Sequence, residues 1–340
     1  MTLFIQNNHS ILFLHVPKCG GSSVDKLFKS NGYSSTLEMR GLPPQDCLTA
    51  SPQHQTCEKL KSIVNMKKLE DIFIIVRNPY ARIVSEFNWQ FRNTEQCDKP
   101  EINEWIVESL AKSATDSSFS DNHFRTCLDF IDESLPCNIF KLEDGIEFIA
   151  EFYIRENNSI SDIEIPTEKN AKSFSSPADK SELNTKAIQA INQFYKYDFK
   201  AFGYNLIDSK NTEENSLQPD ELDGDNGIES KVQTILDWRE RTLDNLYLKL
   251  LKELDSLFAN TTQKINDIHH TEGQRELEEN KVRESVNALY NQTLLKVKHC
   301  ELNLNLIVSS QEDIQPEKIT KMLQIIDQYR SLSRQKIEKV

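Results

Sequence analysis

No segment of this 340-residue chain approaches the 18 or more consecutive apolar residues needed to cross a membrane as a helix. Positive charge is in deficit: 40 Lys and Arg stand against 53 Asp and Glu, a formal net charge of -13 at pH 7. That balance speaks against a general nucleic-acid or anionic-membrane partner, so an anion site has to be a local basic pocket in an acidic protein. The seven cysteines are odd in number and include no C-x-x-C pair. Neither a disulfide framework nor a zinc site follows from such spacing, and no other metal-ligand cluster stands out, so no metal is expected. No basic stretch precedes the first apolar run, so a secretory signal is not expected either. Reduced thiols in a cytoplasmic setting are the simplest expectation. The phosphate-loop pattern G-x-x-x-x-G-K-[ST] is missing too, which argues against an ordinary ATPase or GTPase.

What is present centres on residues 11–23. Ile11 to Val16 is an unbroken apolar run suited to a strand covered on both faces. Pro17 cannot continue a central strand, and Gly20-Gly21 allow a tight fold of the backbone. Ser22-Ser23 offer an N-cap to a helix carrying Val24, Leu27 and Phe28 at helical spacing. A strand, a small-residue loop and a helix start aim several backbone N–H groups at one point, where the helix dipole also favours negative charge. With Lys18 beside them, the loop is built for a phosphate or sulfate group.

A second apolar run, Ile72 to Val76, ends in Arg77-Asn78-Pro79 and passes at once into a helix striped by Tyr80, Ile83, Val84, Phe87 and Phe91. Two such units imply a P-loop-like α/β fold, a parallel β-sheet flanked by helices. Ligands gather beyond the carboxyl ends of strands in such sheets, which brings Lys18 and Arg77 to one edge. Arg77 can grip a phosphate in two-pronged fashion, and Ser85, about two turns into the helix, adds a directional donor. Between the two runs, 31–53 reads as irregular, followed by a helix from about Thr56 to Lys68. Further helices are expected over 101–112, 145–153 and 182–195, with a short strand at 138–142.

Composition changes near Asp208. Eight acids face Lys210 alone between Asp208 and Glu229, the pattern of a solvated linker. Three amphipathic helical stripes follow over 230–340, the pattern of a bundle or coiled coil that could join two copies or a partner protein. The expected organisation is thus a domain over 1–207, a linker over 208–229 and an α-helical region over 230–340.

His15 to Ser23 resembles the phosphosulfate loop of carbohydrate-type sulfotransferases, the group related to heparan-sulfate 2-O- and 6-O-sulfotransferases. Val76 to Ser85 is similar to their 3′-phosphate motif, with arginine and serine eight positions apart. Ser51-Pro52-Gln53-His54, Asp121-Asn122-His123-Phe124-Arg125 and Tyr197 to Tyr204 are similar to segments of soluble bacterial members. The resemblance covers roughly residues 10–207, with Cys19 standing where the family more often has threonine. It implies 3′-phosphoadenylyl sulfate as donor and a hydroxyl, on a carbohydrate, as acceptor. Lys18 and the backbone N–H groups of Cys19, Gly20, Gly21, Ser22 and Ser23 would hold the 5′-phosphosulfate, and Arg77 and Ser85 the 3′-phosphate.

Sulfuryl transfer also needs the acceptor hydroxyl deprotonated. His54 is the favoured general base, since histidine titrates near neutrality and this one sits between the two motifs. His123 is the rival, and with Arg125 it is otherwise a contact to acceptor or donor. His15, at a strand end, is read as structural. Two other functions fit parts of the pattern. One is a nucleotide or sugar kinase, disfavoured by the lysine preceding the glycines and by the lack of an acid after a strand to bind Mg²⁺. The other is a non-catalytic nucleotide-binding adaptor that presents a coiled-coil surface.

Overall fold

The computed structural model describes residues 1–7, 9–38, 49–154, 164, 178–207 and 227–242, with isolated positions 245, 248, 249, 252 and 263 beyond them. Five strands form one sheet in the order β3-β1-β2-β4-β5. They are β1 (Thr2–Gln6), β2 (His9–Leu14), β3 (Ser34–Thr36), β4 (Asp71–Val76) and β5 (Asn138–Lys141). The two expected strands are the central ones, and they pair in parallel with Ile11 opposite Asp71 and Leu14 opposite Ile74. Their apolar runs are continuous because both faces are covered: Ile11 to Leu14 and Ile72 to Val76 are all buried.

The all-parallel expectation is corrected on one side. β1 is antiparallel to β2, with Phe4 opposite Ile11, and β3 is antiparallel to β1, so the sheet is mixed. The hairpin turns at Asn7, whose φ of 55° is left-handed, a conformation asparagine tolerates. β3 lies inside the stretch expected to be irregular. β2 also stops at Leu14, two residues short of the expected end, so His15 and Val16 belong to the loop.

Helix α1 (Gly21–Ser30) returns over the sheet, and α3 (Pro79–Gln90) follows β4 with Pro79 in its first turn and the Asn78 side chain accepting from the Tyr80 N–H. One core layer is aromatic: Phe28 stacks on Phe4 at 4.1 Å between ring centroids, Phe13 on Phe73 at 4.9 Å, and Tyr153 leans on Phe73 at 5.1 Å. A second cluster gathers α3, α4 (Ile102–Thr115), α6 (Thr185–Phe194) and α7 (Lys196–Phe202) around Ile83, Phe87, Ile106, Ile191 and Phe199. The helix expected over 56–68 is broken into α2 (Cys57–Leu60) and a single 3₁₀ turn, Met66–Lys68. α5 (Glu147–Tyr153) follows β5.

The chain divides into two units, Met1–Thr242 and Leu243–Val340. The helix over 227–242 belongs to the first, burying Val232, Ile235 and Trp238. Its Thr242 hydroxyl accepts the Ile139 N–H at 3.2 Å, satisfying a donor on the outer strand β5. Residues 208–226 of the linker expected over 208–229 lie outside the described residues, while 227–229 already belong to the helix; the helical stripes past 243 (isolated positions aside) and Cys47, Cys300, His269, His270 and His299 also lie outside.

Candidate active site

The loop from His15 to Gly20 leaves β2 at its carboxyl end and enters α1. Gly20 caps the helix with a left-handed φ of 83°, and a Cβ there would meet Leu142 Cδ1 at 2.6 Å. Gly21 is required for a different reason: a Cβ would fall 2.2 Å from His15 Nε2, because the imidazole packs against the loop. The expected Ser22-Ser23 cap is corrected here. The glycine turn starts the helix at Gly21, so both serines sit in its first turn and no side chain caps it. Within the loop the Cys19 N–H donates to Val16 O at 3.4 Å and the Ser23 N–H to Gly20 O at 2.9 Å. The Gly20 and Gly21 N–H groups have no backbone acceptor among the described residues, which suits an anion.

Lys18 is itself left-handed, with φ 66°, a conformation that costs a non-glycine residue about 1–2 kcal/mol. Arg77, just past β4, donates from Nη1 to the Lys18 carbonyl at 3.1 Å, so the two residues meet at one edge of the sheet. Burial pulls the Lys18 ammonium down to about 8; Glu86 works against that, while Arg77 and Arg92 add to it. Arg82, one turn into α3, is fully buried and acts as a clamp, with Nε donating to Pro17 O at 3.1 Å and Nη2 to His123 O at 3.0 Å. Cys19 is buried against Cys127. Burial would raise its thiol, but the Cys127 hydrogen bond and the Arg82 and Arg77 charges bring it below the ordinary thiol range. Ser85 is half-buried on the same helix.

His54 ends the 3₁₀ turn Pro52–His54 and is buried. Its Nδ1 lies 2.8 Å from Asp121 Oδ2, and that carboxylate also accepts from the Ser51 hydroxyl at 2.7 Å and from the Ser51 N–H. Donation from Nδ1 to Asp121 leaves a lone pair on Nε2, which lies 2.9 Å from the Gln53 side-chain amide nitrogen. Burial lowers the His54 pKa and outweighs the Asp121 bond, which raises it. Burial would raise Asp121, yet its bonds to His54 and Ser51 bring it down to about 2. Asp121 is presented by Ser120, Asp121 and Asn122, three consecutive left-handed residues with φ of 52°, 59° and 62°. Asn122 Nδ2 fastens this turn by donating to His54 O at 2.8 Å.

His123 follows directly. Its ring lies 4.8 Å from that of His54, and its Nδ1 is 2.6 Å from Glu86 Oε2. Thus two imidazoles, each backed by a carboxylate, face each other beside Lys18. Trp89, 40% exposed, lies against His123 at 5.1 Å and receives Lys18 Nζ at 5.0 Å and Arg92 at 4.6 Å over its ring. Arg125 is turned to its own loop, bonding Asn122 Oδ1 at 3.1 Å and Ser117 Oγ at 2.7 Å. His54, Asp121 and His123 offer donor atoms within 4.8 Å of one another, but a cation there would compete with the His54–Asp121 bond.

Glu86, Trp89 and Asp121 were not singled out as site residues from the sequence. The first two had a signal: Arg82, Ser85, Glu86 and Trp89 stand at i, i+3, i+4 and i+7, which places them on one face of α3. Asp121 opens a segment that the resemblance covers, but nothing local names its partner, since only the fold brings it to His54.

Such an edge can hold an anionic group on backbone N–H groups and cations while an imidazole handles a proton, the equipment of group transfer. Residues 1–144 match the model of the Sulfotransferase family, and this part of the chain is a sulfotransferase domain. A domain of this family indicates a sulfotransferase enzyme. No curated protein and no solved structure matches the chain.

Proposed function

We propose that the enzyme moves a sulfuryl group from 3′-phosphoadenylyl sulfate to a hydroxyl on a carbohydrate acceptor. The observation that carries this reading is the joining of the two cationic strand ends, through the Arg77 bond to the Lys18 carbonyl. The residues fit the donor. The Gly20 and Gly21 N–H groups, without a backbone acceptor among the described residues, and Lys18 suit its 5′-phosphosulfate, with Ser22 and Ser23 in the same helical turn, and Arg77 with Ser85 suits its 3′-phosphate. The donor supplies an activated sulfuryl group whose departure leaves negative charge on a phosphate oxygen.

Lys18, charged at pH 7 because its pKa remains near 8, offsets that charge. His54 Nε2 takes the proton of the acceptor hydroxyl as its oxygen forms the bond to sulfur. Gln53 marks the position from which such a hydroxyl would donate. Asp121 holds the imidazole in the required tautomer and stabilises the imidazolium that results. The exposed Trp89 indole beside His123 offers a flat apolar face to a sugar ring, and Arg92 a cation to an acidic one.

The test is transfer of labelled sulfate from the donor to a panel of oligosaccharides. Wild type is expected to label at least one, and Lys18→Ala to lose most of the rate while remaining folded by circular dichroism. An unchanged rate in Lys18→Ala eliminates its role. Binding of the donor with no transfer to any acceptor, unaffected by His54→Ala, favours an adaptor.

A further inference from the structure

Glu86 is an acid with almost no exposure, on the inner face of α3, in a place where burying a carboxylate is costly unless it is paired. Two neighbours bond it directly: His123 Nδ1 lies 2.6 Å from Oε2 and Gln90 Nε2 donates to Oε1 at 2.9 Å, while Lys18, whose ammonium sits over the Trp89 ring that packs on His123, feels its charge. The carboxylate therefore stands behind two groups at once, the loop cation and the second imidazole. We propose that Glu86 is a positioning residue for sulfuryl transfer, keeping Lys18 charged on the donor side and His123 in one tautomer on the acceptor side. This rests on the reading of Lys18 as the donor cation.

The charges around Lys18 show why such a residue is needed. Arg77 faces it from the end of β4, Arg92 from beyond α3, Cys19 from its own loop and Trp89 from the side. Burial and the two arginines all disfavour the ammonium, and Glu86 is the largest influence in the other direction. Burial would also raise the Glu86 carboxyl, but the His123 hydrogen bond, with the Lys18 charge, brings it below the usual carboxylate range, so it stays ionised at neutral pH. On the His123 side, an acceptor at Nδ1 requires the proton there and leaves Nε2 as the ring's lone-pair nitrogen. In the free enzyme this carboxylate is what holds Lys18 ready. Once a doubly phosphorylated nucleotide is bound, its own negative charge takes over much of that task.

That difference sets the test. Glu86→Gln has nearly the same shape and can still bond His123 and Gln90, but it removes the charge. Its alkaline limb in kcat/KM, which reports the free enzyme, should move down by about one pH unit, the low end of what one neighbouring charge produces. The limb in kcat should move less. Affinity for adenosine 3′,5′-bisphosphate should fall about fourfold more at pH 8 than at pH 6.5. Glu86→Asp should restore the wild-type limb, and His123→Gln should lower kcat without moving it. A uniform loss across pH in Glu86→Gln, or a limb that does not move, overturns the proposal and leaves Glu86 a packing residue. If wild type itself binds no adenosine 3′,5′-bisphosphate, the donor reading fails first, which separates the two failures.

Discussion

At the scale of single residues, the site is made of groups held where they would not rest alone. Lys18, Ser120, Asp121 and Asn122 are non-glycine residues in the left-handed region, and each is fastened by a bond made by itself or its neighbour. Strain of this kind persists where surrounding contacts determine the conformation, and here it aims Lys18 and Asp121. Asp121 links that geometry to pH. Its carboxyl titrates near 2 instead of the ordinary 3.8, so its contribution to stability is complete above 3.8 and is lost as pH falls from there towards 2. Asp121→Asn should therefore flatten the acid limb of wild-type stability in that window, read by chemical denaturation at stepped pH. It should also lower kcat by less than His54→Ala does, since removal of a general base typically costs about 10²–10⁴-fold. Equal acid sensitivity in the two proteins contradicts the assignment of that carboxylate as the partner of His54.

At the scale of elements, each strand of the parallel core hands its successor to the same edge. β2 delivers the anion loop, β4 delivers Arg77, and the turn after β5 delivers Glu143, which accepts from the Asn78 N–H at 2.8 Å and the Tyr204 hydroxyl at 2.9 Å. The tight joint between β2 and α1 depends on Gly21 and the His15 ring. Gly21→Ala should force the imidazole aside and cost donor binding more than it costs folding. Binding should drop at least about tenfold with a Tm loss of only a few degrees, the scale of about 1 kcal/mol. Retained donor affinity in Gly21→Ala would falsify the close-packed loop.

Which elements were legible in the sequence follows from how local their causes are. β2 and β4 announce themselves as apolar runs, and Pro79 and Asn78 mark the start of α3, because burial on both faces and capping are written within a few residues. β1 and β3 were not legible. In β1 the alternation runs against the usual pattern, with Thr2 buried and the apolar Ile5 exposed, and Ser34–Thr36 is short and polar. His54, Lys18 and Arg77 could be named from motif and position, whereas their partners Asp121 and Glu86 could not. His54 and Asp121 are 67 positions apart, and their meeting depends on the whole first unit.

At the scale of the molecule, an acidic protein concentrates positive charge at one edge of one sheet. Lys18, Arg77, Arg82 and Arg92 all act on the loop or its surroundings, and Glu86 is the acid that acts most on Lys18 among the described residues. A buried ammonium with a pKa near 8 is a cost to the free enzyme that a bound anion relieves, so nucleotide should stabilise the fold as well as occupy the site. We propose that the Lys18 and Arg77 cradles grip opposite ends of one doubly phosphorylated carrier, and the donor assignment depends on this double grip. Its most direct test is calorimetric titration of wild type and Arg77→Ala with adenosine 3′,5′-bisphosphate and, separately, with adenosine 5′-phosphate. Wild type should bind the bisphosphate at least about tenfold more tightly, and Arg77→Ala should erase that preference while leaving the monophosphate nearly unaffected. Equal affinity of wild type for the two nucleotides, or an equal loss of both in Arg77→Ala, contradicts it.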